Sequence, residues 1–285
     1  MTTATDLNTN CPMTFCPGCG NFGIWGALKN AAIQENWNNS NTVLVAGIGC
    51  HGHMVNFLRL NAFEGLHGRA IPVATGIKLV NHKLNVVVLT GDGDALAEGG
   101  NHFLHACRRN HDLTVLLHDN SIYGLTTGQT SPTSPDGFRS KSTPLGNPDH
   151  PLHPLSLAIA AGASFVARSF AGDILHLTET IIAATRHQGF SVVDILQPCI
   201  TFNKEYTVDF YRQNIYHLDN NYNPSDKHAA FAKSLEWGPG QIPVGIIYQE
   251  NRPSFESALP QLRDQPLIAL EPSVKNISAL YKKYQ

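Results

Sequence analysis

Residues Val86–Leu125 read VVVLTGDGDALAEGGNHFLHACRRNHDLTVLLHDNSIYGL. An apolar, β-branched run, Val86–Thr90, stops at Gly91-Asp92-Gly93-Asp94. A helical stretch over Ala95–Arg109 follows, and a second apolar run, Thr114–His118, stops at Asp119-Asn120. Strand, helix, strand is one βαβ unit, because parallel strands need a crossover. Asp92 and Asn120 stand 28 residues apart, one such unit. Both side chains therefore project from the carboxyl edge of the sheet, where open α/β sheets bind ligands. A carboxylate, an amide and a nearby backbone carbonyl are hard oxygen donors that suit Mg²⁺ held between protein and a diphosphate. Glycines on both sides of Asp92 let the backbone approach phosphate oxygens, and the start of the helix offers free N–H groups. Two other readings fit part of the pattern. GDGD is also a strand-ending turn whose acids cap a helix. It also begins like a dinucleotide loop, but lacks the third small residue and an acidic residue about 20 positions on.

The same alternation extends in both directions. Thr42–Ala46 (TVLVA) ends at Gly47, and Ser164–Ala167 and Ser191–Ile195 read as later strands. Phe22–Gln34 and Ile174–Arg186 read as helices. Continuous rather than alternating apolar runs suit strands covered on both faces. The predicted fold class is α/β: a parallel sheet with right-handed crossovers and helices on both faces. Thr126–Pro154 breaks the pattern with Pro132, Pro135, Pro144, Pro148, Pro151 and Pro154; a loop this long in a compact domain is functional or covered by a partner. Residues 1–200 are expected to form the core domain. Residues 201–285 are expected to be an irregular extension packed on the core or a partner, with Pro243–Gln249 as one more strand.

Composition narrows the function. Hydrophobic residues make up 42% and charged residues 15%, the latter below the usual share of about 25%, which fits a surface partly covered by another subunit. The formal charge is −2 with no basic stripe, so nucleic acid has no electrostatic foothold. The N-terminal segment lacks the basic and apolar regions of a signal peptide, and no long apolar stretch suits a membrane span. A cytoplasmic location is expected.

Six cysteines in 285 residues are too sparse for a disulfide scaffold. Cys16-Pro17-Gly18-Cys19 is a tight pair, Cys50 follows the first strand, and Cys199 follows the last core strand. One pair plus two distant thiols is unlike a zinc ribbon, yet four thiolates from three segments can close around a [4Fe–4S] cube. A redox-active dithiol at Cys16/Cys19 and inert buried thiols at Cys50 and Cys199 are the alternatives. Cys107 lies mid-helix as a core residue, and Cys11 is left over.

Taken in order, FCPGCGNFGIWGAL, GIGCHGH, LHGRA, ATGIKL, GDGDALAEGGNHFLHACRRN, DNSIYGLTTGQTSPT and DILQPC resemble the β subunit of 2-oxoacid:ferredoxin oxidoreductases over about residues 10–200. The resemblance implies that Cys16, Cys19, Cys50 and Cys199 bind a [4Fe–4S] cluster. It also implies that Asp92, Asn120 and the carbonyl of Ile122 bind Mg²⁺, and that Ile48, Gly49, Cys50, His51, Gly91, Gly93, Asp94, Gly124 and Leu125 meet thiamine diphosphate. It implies a partner α subunit that completes the site, in an αβ or (αβ)₂ assembly, with coenzyme A as co-substrate and ferredoxin as electron carrier. The implied reaction is reversible, CoA-dependent oxidative decarboxylation of a 2-oxoacid. Asn21 stands where the pyruvate-dedicated branch has Glu; with GLTTGQ it resembles the 2-oxoglutarate or broad 2-oxoacid branch. The alternatives are pyruvate or a broad range of 2-oxoacids as substrate, or a non-redox thiamine-dependent decarboxylase subunit. His51 and His67, with His53 and Arg69 behind them, are expected to hold the substrate carboxylate.

Overall fold

The structure is a computed structural model that describes residue 3 and residues 5–219, 221–270 and 277–284. Parts of the two termini read above, residues 1, 2, 4, 271–276 and 285, lie outside the described residues. In chain order the main elements are α1 (Asn21–Gln34), β1 (Thr42–Ala46), α2 (Met54–Phe57), β2 (Asn61–Glu64), α3 (Ala70–Val80), β3 (Asn85–Gly91), a π-helical turn (Gly93–Glu98), α4 (Gly100–Arg109) and β4 (Thr114–Asp119). There follow α5 (Pro154–Ala161), β5 (Phe165–Phe170), α6 (Ile174–Arg186), β6 (Ser191–Leu196), α7 (Val208–Asn214), β7 (Ile215–His217), α8 (Lys227–Ser234), β8 (Ile242–Gln249) and α9 (Ser278–Lys283).

The strands form one sheet in the order β2-β1-β3-β4-β6-β5-β8-β7. The first six are mutually parallel. The C-terminal region adds two more strands: β8 runs antiparallel to β5, and β7 pairs parallel with β8. The sheet is therefore mixed at one end, and the extension is more regular than expected. Its helices α7 and α8 have only 7 and 8 residues, too short for a clear 3.6-residue pattern in the sequence.

Side chains alternate between two large cores. Leu44, Ala46, Val87, Leu89, Val193 and Ile195 point to the face covered by Ile24 and Leu28 of α1 and Leu177 and Ile181 of α6. Val45, Val86, Val88, Val115, Leu117 and Val192 point to the opposite face, covered by Ala70, Ala74, Phe103 and Ala158 from α3, α4 and α5. Each such Leu, Val, Ile or Phe contributes about 1.5–3 kcal/mol by leaving water. A smaller cluster of Phe170, Leu196, Tyr211, Ile242 and Val244 seats the C-terminal strands.

The chain leaves β1 toward β2 on one side and returns through β3 toward β4 on the other. The tips of β1 and β3 therefore flank a topological switch point, the usual place for a ligand in such sheets.

Candidate functional site

β3 and β4 are neighbours in register Gly91↔His118. Asp92 and Asn120 thus emerge side by side at the carboxyl edge. Every residue assigned above to thiamine diphosphate, from Ile48 to Leu125, lines one cavity there, together with His67, Tyr123 and Thr126. Ser121 takes a left-handed backbone conformation (φ 53°) that turns the chain back after β4. Asn120 Oδ1 then accepts from the Ile122 N–H at 3.1 Å, which brings the amide and the Ile122 peptide together.

Asp92 is 2% exposed. Its Oδ2 receives the Ser131 hydroxyl and, at 2.7 Å, the Thr133 hydroxyl. Burial pushes its carboxyl up from the usual range. Asp119, one residue before Asn120, is raised well above that range by burial and by the nearby Asp92 charge. Two buried carboxyls this close call for a proton or a cation between them and the cavity. The donor set of Asp92, Asn120 and the Ile122 carbonyl is the hard-oxygen chemistry that Mg²⁺ takes, so the residues present fit that ion.

Asp94 behaves differently. Its Oδ1 accepts from the backbone N–H of Gly68 (2.7 Å) and Ile48 (3.1 Å), and its Oδ2 accepts from the Thr90 hydroxyl (2.6 Å). His67 Nδ1 lies 2.9 Å from Oδ1. The carboxylate therefore ties together the loop after β1, the loop after β2 and the end of β3. Its side chain is occupied by protein donors. Gly47 must lack a side chain, because a Cβ there would lie 1.7 Å from Asp94 Oδ2. Gly68 is a second constrained position: its φ is +72°, and a Cβ would sit 2.3 Å from the Glu98 carbonyl carbon.

The histidines separate. His67 is half-exposed at the cavity rim. His51 also lines the cavity but is buried; desolvation lowers its pKa and keeps it neutral, wedged against Gly49 and Gly91. His53 faces the cysteine cavity described next. Arg69 Nη1 donates to the carbonyls of Gly68 and Glu98 and so braces that loop.

Cys16, Cys19, Cys50 and Cys199 line one second cavity. A turn closed by Cys19 N–H to the Cys16 carbonyl (2.9 Å) presents the first pair. Gly20 N–H to the Pro198 carbonyl (3.1 Å) and Gln197 Nε2 to Cys19 Sγ (3.5 Å) bind that turn to the end of β6. Burial, followed by the charges of Cys19, Cys199 and Cys16, pushes the Cys50 thiol up to about 11. A Cβ on Gly124 would lie 3.5 Å from Cys199 Sγ and 3.8 Å from Cys50 Sγ. Among the described residues no three His, Cys, Asp or Glu groups converge closely enough for a single metal ion. The thiols ring a space instead. Cys107 is fully buried in the core and Cys11 is exposed. The cofactor cavity and the cysteine cavity share Cys50, Asn120, Gly124 and Leu125 as a common wall.

The fold and this edge define a thiamine-diphosphate-binding protein: residues 47–195 match the thiamine pyrophosphate enzyme C-terminal TPP-binding domain. Residues 199–264 match the C-terminal region of pyruvate ferredoxin oxidoreductase β subunits. The chain is 46% identical over 259 residues to a Sulfolobus 2-oxoacid:ferredoxin oxidoreductase subunit beta, covering 86% of this chain and 85% of that one. It is 45% identical over 215 residues to 2-oxoglutarate synthase subunit KorB of Archaeoglobus fulgidus, covering 75% and 79%. A 2-oxoglutarate:ferredoxin oxidoreductase from Magnetococcus marinus, solved with 2-oxoglutarate, coenzyme A and succinyl-CoA bound, superposes with a TM-score of 0.91 at 35% identity over 100% of this chain and 96% of that one. The chain belongs to the family of 2-oxoacid:ferredoxin oxidoreductase β subunits.

Sequence reasoning missed Thr90, Tyr123, Ser131 and Thr133 as site residues. For Ser131 and Thr133 the signal was present: a hydroxyl-rich run, Thr130–Ser134, in a loop already singled out for its length. No helix among the described residues is long and apolar enough to cross a membrane.

Proposed function

We propose that this β subunit, with an α partner, carries out CoA-dependent oxidative decarboxylation of 2-oxoglutarate to succinyl-CoA and CO₂ and passes the electrons to ferredoxin. In this reading a [4Fe–4S] cluster on Cys16, Cys19, Cys50 and Cys199 is the first acceptor. Mg²⁺ is held by Asp92, Asn120 and the Ile122 carbonyl. The observation that carries the reading is the common wall: Cys50, Asn120, Gly124 and Leu125 face both cavities, so a cofactor in one lies beside a redox centre in the other. Four thiols spread around a space suit a cube better than a single ion. When bound, thiamine diphosphate supplies the nucleophilic carbon and the electron sink. The chain's own residues hold and shield it. Asp94 fixes the Ile48 and Gly68 loops, the Gly91–Gly93 backbone admits the diphosphate, and His67, steadied by Asp94, stands at the rim where a substrate carboxylate enters.

The cofactor cavity holds about 70 Å³, well below the roughly 300–1,000 Å³ of complete small-molecule pockets. It therefore suits a half-site that an α subunit closes, in an αβ or (αβ)₂ assembly. Leu66 is 78% and Leu125 47% exposed beside it, apolar surface of the kind that partners cover. The 2-oxoglutarate assignment is supported by the names of the Archaeoglobus and Magnetococcus relatives. The generic name of the Sulfolobus relative favours a second reading, broad 2-oxoacid use. Free thiols suit a reducing cytoplasm.

The test is anaerobic co-purification with the α subunit, an iron and thiamine diphosphate inventory, and ferredoxin reduction with CoA and either 2-oxoglutarate or pyruvate. The proposal expects about four iron atoms per β chain and turnover that prefers 2-oxoglutarate. Iron-free protein sinks the electron path; equal use of both acids establishes the broad reading instead.

A further inference from the structure

The long proline-rich loop is unexplained by the reading above, yet it sends two side chains into the metal edge. Ser131 and Thr133, 6% and 7% exposed, both address the same oxygen of Asp92, Oδ2. Thr133 Oγ1 also lies 2.7 Å from Asp119 Oδ1 and 3.2 Å from Ser121 Oγ. The loop is itself firmly held. Ser131 N–H donates to Ser134 Oγ (2.8 Å), and the Ser134 hydroxyl donates to the Ser121 carbonyl (2.7 Å). Asn147 Nδ2 braces the carbonyls of Ser134 and Pro135. Pro132, between the two hydroxyl residues, restricts the backbone that presents them. The result is a strap whose hydroxyls are positioned by backbone bonds on both sides.

The Ser131 hydroxyl and the Thr133 hydroxyl, whose single proton lies between Asp92 Oδ2 and Asp119 Oδ1, together hold the orientation of the Asp92 carboxyl group. Groups that orient a metal ligand from behind typically contribute 10–100-fold to metal affinity. We propose that Ser131 and Thr133 are positioning residues for Asp92: they aim its carboxylate at a divalent cation and make the proline-rich loop part of the metal site. The inference rests on the reading that Asp92 ligates Mg²⁺. It goes further by assigning a role to the strap and to the Asp92–Thr133–Asp119 bridge between the tips of β3 and β4.

The test uses the assembled αβ protein, stripped of divalent cations and supplied with thiamine diphosphate. Mn²⁺ is titrated in as a spectroscopic stand-in, and its free fraction is read by electron paramagnetic resonance. Thr133→Val and Ser131→Ala are each expected to raise the dissociation constant for Mn²⁺ about 10–100-fold, while Thr133→Ser, which keeps the hydroxyl, stays within about threefold of the parent. Asp92→Asn is expected to abolish binding. If Asp92→Asn abolishes binding but Thr133→Val and Ser131→Ala bind like the parent, the strap has no positioning role and the inference is overturned while the metal site stands. If Asp92→Asn itself binds like the parent, the metal site is wrong and the inference falls with it. Should Thr133→Val fail to assemble, Ser131→Ala decides alone, since it leaves the Thr133 bridge in place; parent-like affinity there overturns the proposal.

Discussion

Replacing Asp94 by alanine removes the acceptor of two backbone amides at once, those of Ile48 and Gly68, at 3.1 and 2.7 Å. Hydrogen bonds to a charged partner contribute about 1.5–3 kcal/mol each. At about 1.4 kcal/mol per tenfold, each amide should lose roughly 10–100-fold of its protection. Hydrogen exchange measured on the assembled αβ protein reads this directly, because local opening is what exchange reports. The Phe165 N–H, bonded to the Phe190 carbonyl at 3.1 Å at the far end of the sheet, serves as the internal control. The two loops released carry Gly49-Cys50 and His67, so thiamine diphosphate affinity should drop in the same variant. Asp94→Asn, which keeps one oxygen but loses the charge, should fall between parent and alanine. If Ile48 and Gly68 exchange at the parent rate in Asp94→Ala while Phe165 also stays unchanged, Asp94 does not tie these loops together and the account of the site's stiffness is wrong.

A side chain at Gly124 separates tolerance from intrusion. If the cysteines hold the proposed cluster, alanine, which meets the two sulfurs at ordinary contact distances of 3.5 and 3.8 Å, should leave iron per chain at the parent value; valine reaches farther into the cysteine space and should lower it, as counted by colorimetric assay. Glu256 joins the C-terminal segment to the body through His111 Nδ1 (2.7 Å) and the Asp112 N–H (3.0 Å). Burial raises its pKa, but the bonds to His111 and Asp112 outweigh this and leave it below the ordinary 4.5. Its contribution is therefore complete above 4.5 and fades as acidification passes through the lowered value. Limited proteolysis near residue 256 should accelerate over that range in the parent and be faster but pH-independent there in Glu256→Gln; a parent that shows no acid-dependent step removes this anchor.

The elements that read clearly were those whose neighbours lie on both faces. β1, β3, β4, β6 and the helices α1 and α6 appear within a residue or two of where apolar runs and helical spacing put them, since a strand covered on both faces is mostly apolar along its length. β2 is exposed along its four residues, Asn61–Glu64, and two apolar residues, Ala62 and Phe63, are too short a run to mark a strand. Ala95–Arg109 reads as a single helix but is broken. A π-helical turn over Gly93–Glu98 precedes α4, and the Gly68 loop pressing against Glu98 and Gly99 is a tertiary cause that local spacing does not carry. At the site, the grouping of Asp92 with Asn120 followed from the length of one βαβ unit. The division of labour between Asp92 and Asp94 did not, because both acids sit in the same GDGD string. Only the fold shows one facing two hydroxyls and the other facing two peptide amides.

Cys50, Asn120, Gly124 and Leu125 line both cavities, so on the proposed reading each of these positions answers to two tenants. On that reading, a substitution chosen to reshape the organic cofactor's seat also alters the space assigned to the proposed cluster, and the reverse. Adaptation of this subunit to a new acid substrate therefore has freer ground at rim positions such as His67 and Thr126, which border one compartment alone.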